Sequence, residues 1–195
     1  METNTLKINL LLDPLPNEYK GYLIKSDFRT GLLINRCLND SSFKSEEEKV
    51  YTVSRILFGK GVPNDFKTAL EGVNWFMSGG RETKSCNSSK PLISFENDDT
   101  MIFSAFMSKF GIDLCNTKMH FFKFLSLMGE LNKTTLSDVA NLRGMTSKDL
   151  KRYSEDDRRK IRKLQSDYSL DCNQLSDEQE EKIKKFDERF LKNVK

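Results

Sequence analysis

A single histidine, His120, is the only side chain of this 195-residue chain whose ordinary pKa lies near neutrality, so acid–base chemistry is sought there first. It stands in Lys118-Met119-His120-Phe121-Phe122-Lys123-Phe124. Met119 before it and Phe121-Phe122 after it mark it as a hydrogen-bonded core or boundary histidine, not a base facing substrate. The cysteines, Cys37, Cys86, Cys115 and Cys172, contain no Cys-x-x-Cys pair and no histidine at zinc spacing. They read as reduced thiols, and a nucleophilic cysteine would need the lone histidine beside it. Asp98-Asp99 and Asp156-Asp157 are paired acids with the chemistry to hold a divalent cation, but each precedes a helical pattern, where carboxylates stabilise the exposed amides of the first turn. Gly59-Lys60-Gly61 and Gly79-Gly80-Arg81 lack the spacing of a phosphate-binding loop and read as helix stops. The residues thus point to a binding protein with no catalytic, metal or cofactor site.

Nucleic acid is the next class to weigh. Eight cations between Lys148 and Lys163 (Lys148, Lys151, Arg152, Arg158, Arg159, Lys160, Arg162, Lys163) stand against Asp149, Glu155, Asp156 and Asp157, for a local 8 − 4 = +4. No helix-turn-helix or stacking platform accompanies them, so the cluster reads as a solvated helix face of mixed charge and nucleic acid is not expected as a partner. The whole chain carries only +3, too weak a field to draw it to an anionic membrane.

Periodicity supplies the elements that must position these groups. Alternation over residues 6–12, the turn residues Asp13-Pro14-Leu15-Pro16-Asn17 and the stretch Tyr19–Ile24 predict a β-hairpin. Ser26 or Asp27 caps a first helix through Phe28, Leu32, Leu33 and Cys37, and Ser45 with three glutamates opens a second through Val50, Val53, Ile56 and Leu57. Asn64 or Asp65 opens a third, closing at Gly79-Gly80. Residues 79–91, lacking any large apolar side chain until Leu92, predict a mobile loop, and Leu92–Phe95 a short strand. Helices then follow through Met101, Ile102, Ala105 and Phe106, through Met119–Met128, through Leu136–Leu142 and from Arg158 to Ser166. A last one, from Leu175, carries Ile183, Phe186, Phe190 and Val194 at i, i+3, i+7 and i+11, a single apolar seam on a charged rod.

The expected fold is therefore mainly α: a helical core domain over 1–145 with an N-terminal hairpin, and a charged helical C-terminal arm over 146–195. Hydrophobic residues at 37% and charged residues at 31% suit a core of this size with solvated extensions. The N-terminus has no basic region before Leu10-Leu11-Leu12, and no stretch reaches 18 apolar residues, so neither signal peptide nor membrane span is expected. Fourteen phenylalanines and seven methionines exceed what caps and turns explain, and suit a surface that grips apolar segments of another chain. Ile183, Phe186 and Phe190 of the seam, with Met119 and Phe122 of the central helix, are the candidate partner contacts.

Several ordered segments resemble a family of small proteins from siphophages and from prophages of Gram-positive bacteria. Its members show a Ser-Phe-acidic segment, here Ser94-Phe95-Glu96, then Tyr-Gly-Ile-Asp-Leu, here Phe110-Gly111-Ile112-Asp113-Leu114, then Leu-His-Trp-Trp-Lys-Phe, here Met119-His120-Phe121-Phe122-Lys123-Phe124. Leu15-Pro16, Ser26-Asp27-Phe28-Arg29, Val62-Pro63-Asn64-Asp65-Phe66 and Trp75-Phe76 agree in the first half, and Asn141-Leu142-Arg143-Gly144-Met145 stands where members carry Ile-Met-x-Tyr-Arg. The departures keep apolar bulk, as core packing requires. Members are encoded between the major tail protein and the tape-measure protein. The resemblance thereby implies a tail assembly chaperone of the infected or lysogenic host cytoplasm, binding the tape-measure protein, the major tail-tube protein and further copies of itself. A virion component, such as a tail-completion or head–tail joining protein, is the second reading.

Overall fold

A computed structural model describes residues 8–81 and 91–170 of the chain, and their architecture is mainly helical with a short N-terminal hairpin. The hairpin lies at β1 (Glu18–Tyr19) and β2 (Tyr22–Leu23), antiparallel, with Tyr19 opposite Tyr22. Lys20 (φ 48°) and Gly21 (φ 83°) connect them, the two positive φ angles that a tight two-residue hairpin turn demands. The strand expected before Asp13 does not form in the described residues. Asn9 Oδ1 accepts from the Leu11 N–H (3.0 Å) and Asp13 Oδ2 from the Asn9 N–H (2.8 Å), local bonds that turn the chain on itself instead of offering a ladder.

Three helices with their expected caps follow. Asp27 accepts from the Arg29 N–H ahead of α1 (Phe28–Asn39), Ser45 from the Glu48 N–H ahead of α2 (Glu46–Phe58), and Asp65 from the Lys67 and Thr68 N–H groups ahead of α3 (Phe66–Met77). Beyond residue 91, α4 (Asp99–Phe110) ends at Gly111, and α5 (Phe121–Gly129) and α6 (Thr135–Gly144) follow, the latter opened by a Thr134–Ser137 capping box. The sequence pattern did not suggest α7 (Ser147–Leu150), a single turn, whereas α8 (Glu155–Asp167) starts where Ser154 accepts from the Asp157 N–H.

In one layer α1 packs on α2, α3 and α5, and in the other α4 packs on α6 and α6 on α8. Stacked rings tie α5 into the first layer, with Phe124 5.0 Å from Phe28 and Phe121 4.9 Å from Phe76, and join the two layers where Phe124 lies 5.3 Å from Phe106. Gly31 lets α1 approach α5 this closely, because a Cβ there would sit 2.2–2.6 Å from three atoms of the Phe121 ring.

The expected strand at 92–95 is also absent. Ser94 Oγ accepts from the Glu96 and Asn97 N–H groups and Asp98 Oδ2 from the Ser94 N–H, so the segment turns into α4. Beyond residue 145 the chain remains bound to the core as far as α8. Leu150 is buried, and Gln165 Nε2 donates to the carbonyls of Leu142 (2.9 Å) and Met145 (3.0 Å). Residues 82–90 of the loop expected at 79–91, and the last helix with its apolar seam, lie outside the described residues. Among the described residues no helix is long and apolar enough to cross a membrane.

Candidate functional site: an apolar groove beside α1 and α4

Two of the three helices that build the groove floor, α1 and α5, are stitched together at their N-termini. Asp27 and His120 form an isolated antiparallel bridge, in which the Phe28 N–H donates to the Met119 carbonyl and the Phe121 N–H to the Ser26 carbonyl, both at 2.8 Å. Each bridge residue also caps its own helix: Asp27 caps α1, and His120 Nδ1 accepts from the Phe122 N–H (3.1 Å) at the start of α5. With Nδ1 accepting, the ring proton resides on Nε2, which donates to the Pro16 carbonyl at 2.8 Å. This bonding needs a neutral ring. Burial holds the His120 pKa below its ordinary value and outweighs the Pro16 carbonyl, which pulls the other way. The histidine is thus a structural cap at the core boundary.

Behind this junction opens a groove of about 620 Å³. Phe28, Ile102 and Phe124 form its buried floor, Leu32, Phe95 and Phe103 its half-buried apolar walls, and Asp99, Thr100 and Cys115 its exposed rim. Arg29 closes one end. Its guanidinium lies 4.5 Å from the Phe28 ring and donates to the carbonyls of Leu114 (2.6 Å), Cys115 (2.9 Å) and Thr117 (3.2 Å), fixing the loop between α4 and α5 as an end wall. An apolar trough with one cation and one carboxylate on its margin suits an amphipathic helix or a small apolar segment, and offers no arrangement for bond chemistry.

Next to the groove a buried ion pair fastens the second layer. Asp98, 1% exposed, receives Arg143 in a two-pronged contact, Nη1 to Oδ2 at 2.7 Å and Nη2 to Oδ1 at 2.8 Å. Burial raises the Asp98 pKa, but the Arg143 hydrogen bonds, the Ser94 N–H and the guanidinium charge together bring it below the ordinary carboxylate value. Arg143 also donates through Nη1 to the Leu92 carbonyl (2.9 Å) and through Nε to the Tyr168 carbonyl (2.7 Å). One side chain therefore holds the turn before α4, the start of α4 and the end of α8.

The candidate contacts of the sequence fall in different places. Met119 (5% exposed) and Phe122 (1% exposed) are core residues, Phe122 packed edge-on to Trp75, and they present no surface to a partner. This corrects the expectation, and the cause is the bridge and cap that turn the start of α5 inward. Ile183, Phe186 and Phe190 lie outside the described residues. Asp98 is engaged by Arg143, while Asp99 accepts from Thr100, and no cluster fit for a metal exists among the described residues. The basic stretch is interleaved with acids, Arg159 on Glu155 and Lys160 near Asp157, on a helix with no buried residue. The groove itself escaped the sequence reading, because its residues come from four separated stretches. The only signal was the grouping of Phe28-Arg29, Phe95 and Phe124 in the ordered segments of the resemblance.

Among protein families, the one described as Bacteriophage Gp15 protein matches residues 11–170, a span that includes both layers and the groove. No curated protein and no solved structure matches the chain.

Proposed function

The chain belongs to the bacteriophage Gp15 protein family, a family of phage structural or morphogenesis proteins, and from that premise we propose that it is a tail assembly chaperone. In this reading it acts in the cytoplasm of the infected or lysogenic host, binds rather than catalyses, and covers apolar helix of the tape-measure protein until tail-tube subunits take its place. The observation that carries the proposal is the groove of Phe28, Leu32, Phe95, Ile102, Phe103 and Phe124. It has the apolar floor and walls that a helix-in-groove contact uses, with anchors one turn apart on the client. One such contact is weak, and many copies along a repetitive client gain by avidity what each lacks. Weak individual contacts also let tube subunits displace the chaperone without an energy source.

Co-expression with a tape-measure protein tests the proposal. The client is expected to stay soluble and to co-elute at many copies of this chain per client. Phe103→Asp, placed on the groove wall, is expected to weaken retention about 10-fold to 100-fold, the equivalent of one large apolar side chain of about 1.5–3 kcal/mol, while the far-UV spectrum stays native. An insoluble client with no complex overturns the reading, and a stoichiometric presence in purified particles replaces it with that of a virion component.

A further inference from the structure

We infer that the groove beside α1 and α4 is the cis docking site of this chain's own C-terminal seam, Ile183, Phe186 and Phe190, so that the protein masks its own binding surface until a competing apolar helix arrives. The inference starts from where the described chain ends. Arg143 Nε holds the Tyr168 carbonyl at 2.7 Å, and the same guanidinium holds Asp98, the residue before Asp99 and Thr100 on the groove rim. Tyr168, two residues before the end of the described chain, is therefore linked through one guanidinium to the residue that precedes the groove rim. From Leu170 to Ile183 there are 183 − 170 = 13 residues, which reach about 45 Å extended or about 20 Å as helix. Either length spans a site that begins at the first turn of α4.

The chemistry of the two surfaces also matches. The seam spaces its apolar residues at i, i+3 and i+7, the anchor pattern of a groove-bound helix, and its remaining positions are charged. The groove offers aromatic floor and walls, with a cation, Arg29, at one end and a carboxylate, Asp99, on its rim. Over residues 171–195 seven acids stand against six bases, so neither rim charge repels the segment as a whole. A short tether gives the segment an effective concentration in the millimolar range, which fills a weak site in cis. A client that presents several segments to several copies can still displace it.

The test uses the full chain alone, so its outcome is separate from that of the tape-measure reading. A photoreactive benzoylphenylalanine replaces Asp187, which the spacing puts beside the seam, and irradiation at low micromolar concentration is followed by peptide mapping. Cross-links to peptides 28–32 and 95–103 are expected in a species of single-chain size, with yield falling at least fivefold when Phe186→Ser and Phe190→Ser are added. Cross-links elsewhere in the chain, or a yield indifferent to the seam, overturn the proposal. Cross-linked dimers overturn it in favour of a second copy as occupant. As a second readout, Ile183→Ser/Phe186→Ser/Phe190→Ser in the full chain is expected to raise the fluorescence of an apolar-surface dye severalfold, and unchanged fluorescence counts against docking.

Discussion

His120 joins two helices through one ring, and that geometry works only for the neutral form. Protonating Nδ1 would set a donor against the Phe122 N–H that it now accepts from. Burial lowers its folded pKa below the value of about 6.5 that the unfolded chain has. The unfolded state therefore binds the proton more readily, and stability rises with pH. The contribution is complete above about pH 6.5 and is lost as pH falls through the folded pKa. The denaturation midpoint is expected to drop between pH 7 and pH 5, and His120→Asn, which keeps a capping acceptor, is expected to flatten that part of the profile. Two profiles of equal slope would remove His120 from the account. Sequence reading placed this histidine on an apolar helix and excluded it from catalysis. Its role in joining α5 to α1 needed the Asp27–His120 bridge, which links positions far apart in sequence.

At the scale of elements, helix starts were legible where a side chain marks them locally. Asp27, Ser45 and Asp65 each accept from an amide two or three residues ahead; Ser45 was readable from its position before an apolar-periodic run, and Asp27 and Asp65 as one of two neighbouring candidates each. The hairpin was legible within Tyr19–Ile24, but the strands expected at 6–12 and 92–95 do not form among the described residues, because Asn9, Asp13, Ser94 and Asp98 satisfy nearby amides and end any ladder before it begins. Asp98 looked like another cap. It makes no side-chain cap bond, and its partner Arg143 lies 45 residues away. Helix packing was equally hidden, as Gly31 illustrates. In an exposed helix Gly→Ala gains about 1 kcal/mol, but here the new Cβ meets the Phe121 ring at 2.2–2.6 Å. Gly31→Ala is expected to destabilise by about 1–3 kcal/mol in chemical denaturation, in line with overpacked cores, and Phe121→Leu in the same chain is expected to recover part of the loss. A stabilised Gly31→Ala would mean that α1 and α5 separate at little cost.

For the whole molecule, the Asp98–Arg143 pair decides whether the outer layer moves with the rest. The sequence places a helical core domain over 1–145 and a charged helical arm over 146–195. Arg143, Leu150 and Gln165 hold the first part of that arm to the core as far as Tyr168. Removing one partner leaves the other charge buried and unpaired, which costs about 3–5 kcal/mol. Asp98→Ala is expected to lower stability by that amount and to speed amide exchange across α8. Asp98→Leu with Arg143→Met is expected to regain most of the stability but not the protection of the last turn of α8, since the bond to the Tyr168 carbonyl stays lost. Full protection in Asp98→Ala would show that α8 docks through Leu150 and Gln165 alone. The candidate site belongs to this scale as well. Its floor joins residue 28 to residue 124, a relation that no local pattern encodes.

The ring stacks also set the order in which the chain can become a protein as it is made. Phe28 and Phe76 find Phe124 and Phe121 only after α5 exists, and α5 begins 121 − 77 = 44 residues after α3 ends at Met77. At about 5–20 residues per second the ribosome needs roughly 2–9 seconds to supply them. During that interval the apolar faces of α1, α2 and α3 lack the helix that α1 and α3 stack against. The nascent chain of this protein is thus itself a client for the cell's folding helpers, and a message cut before α5 yields a product with no core to close.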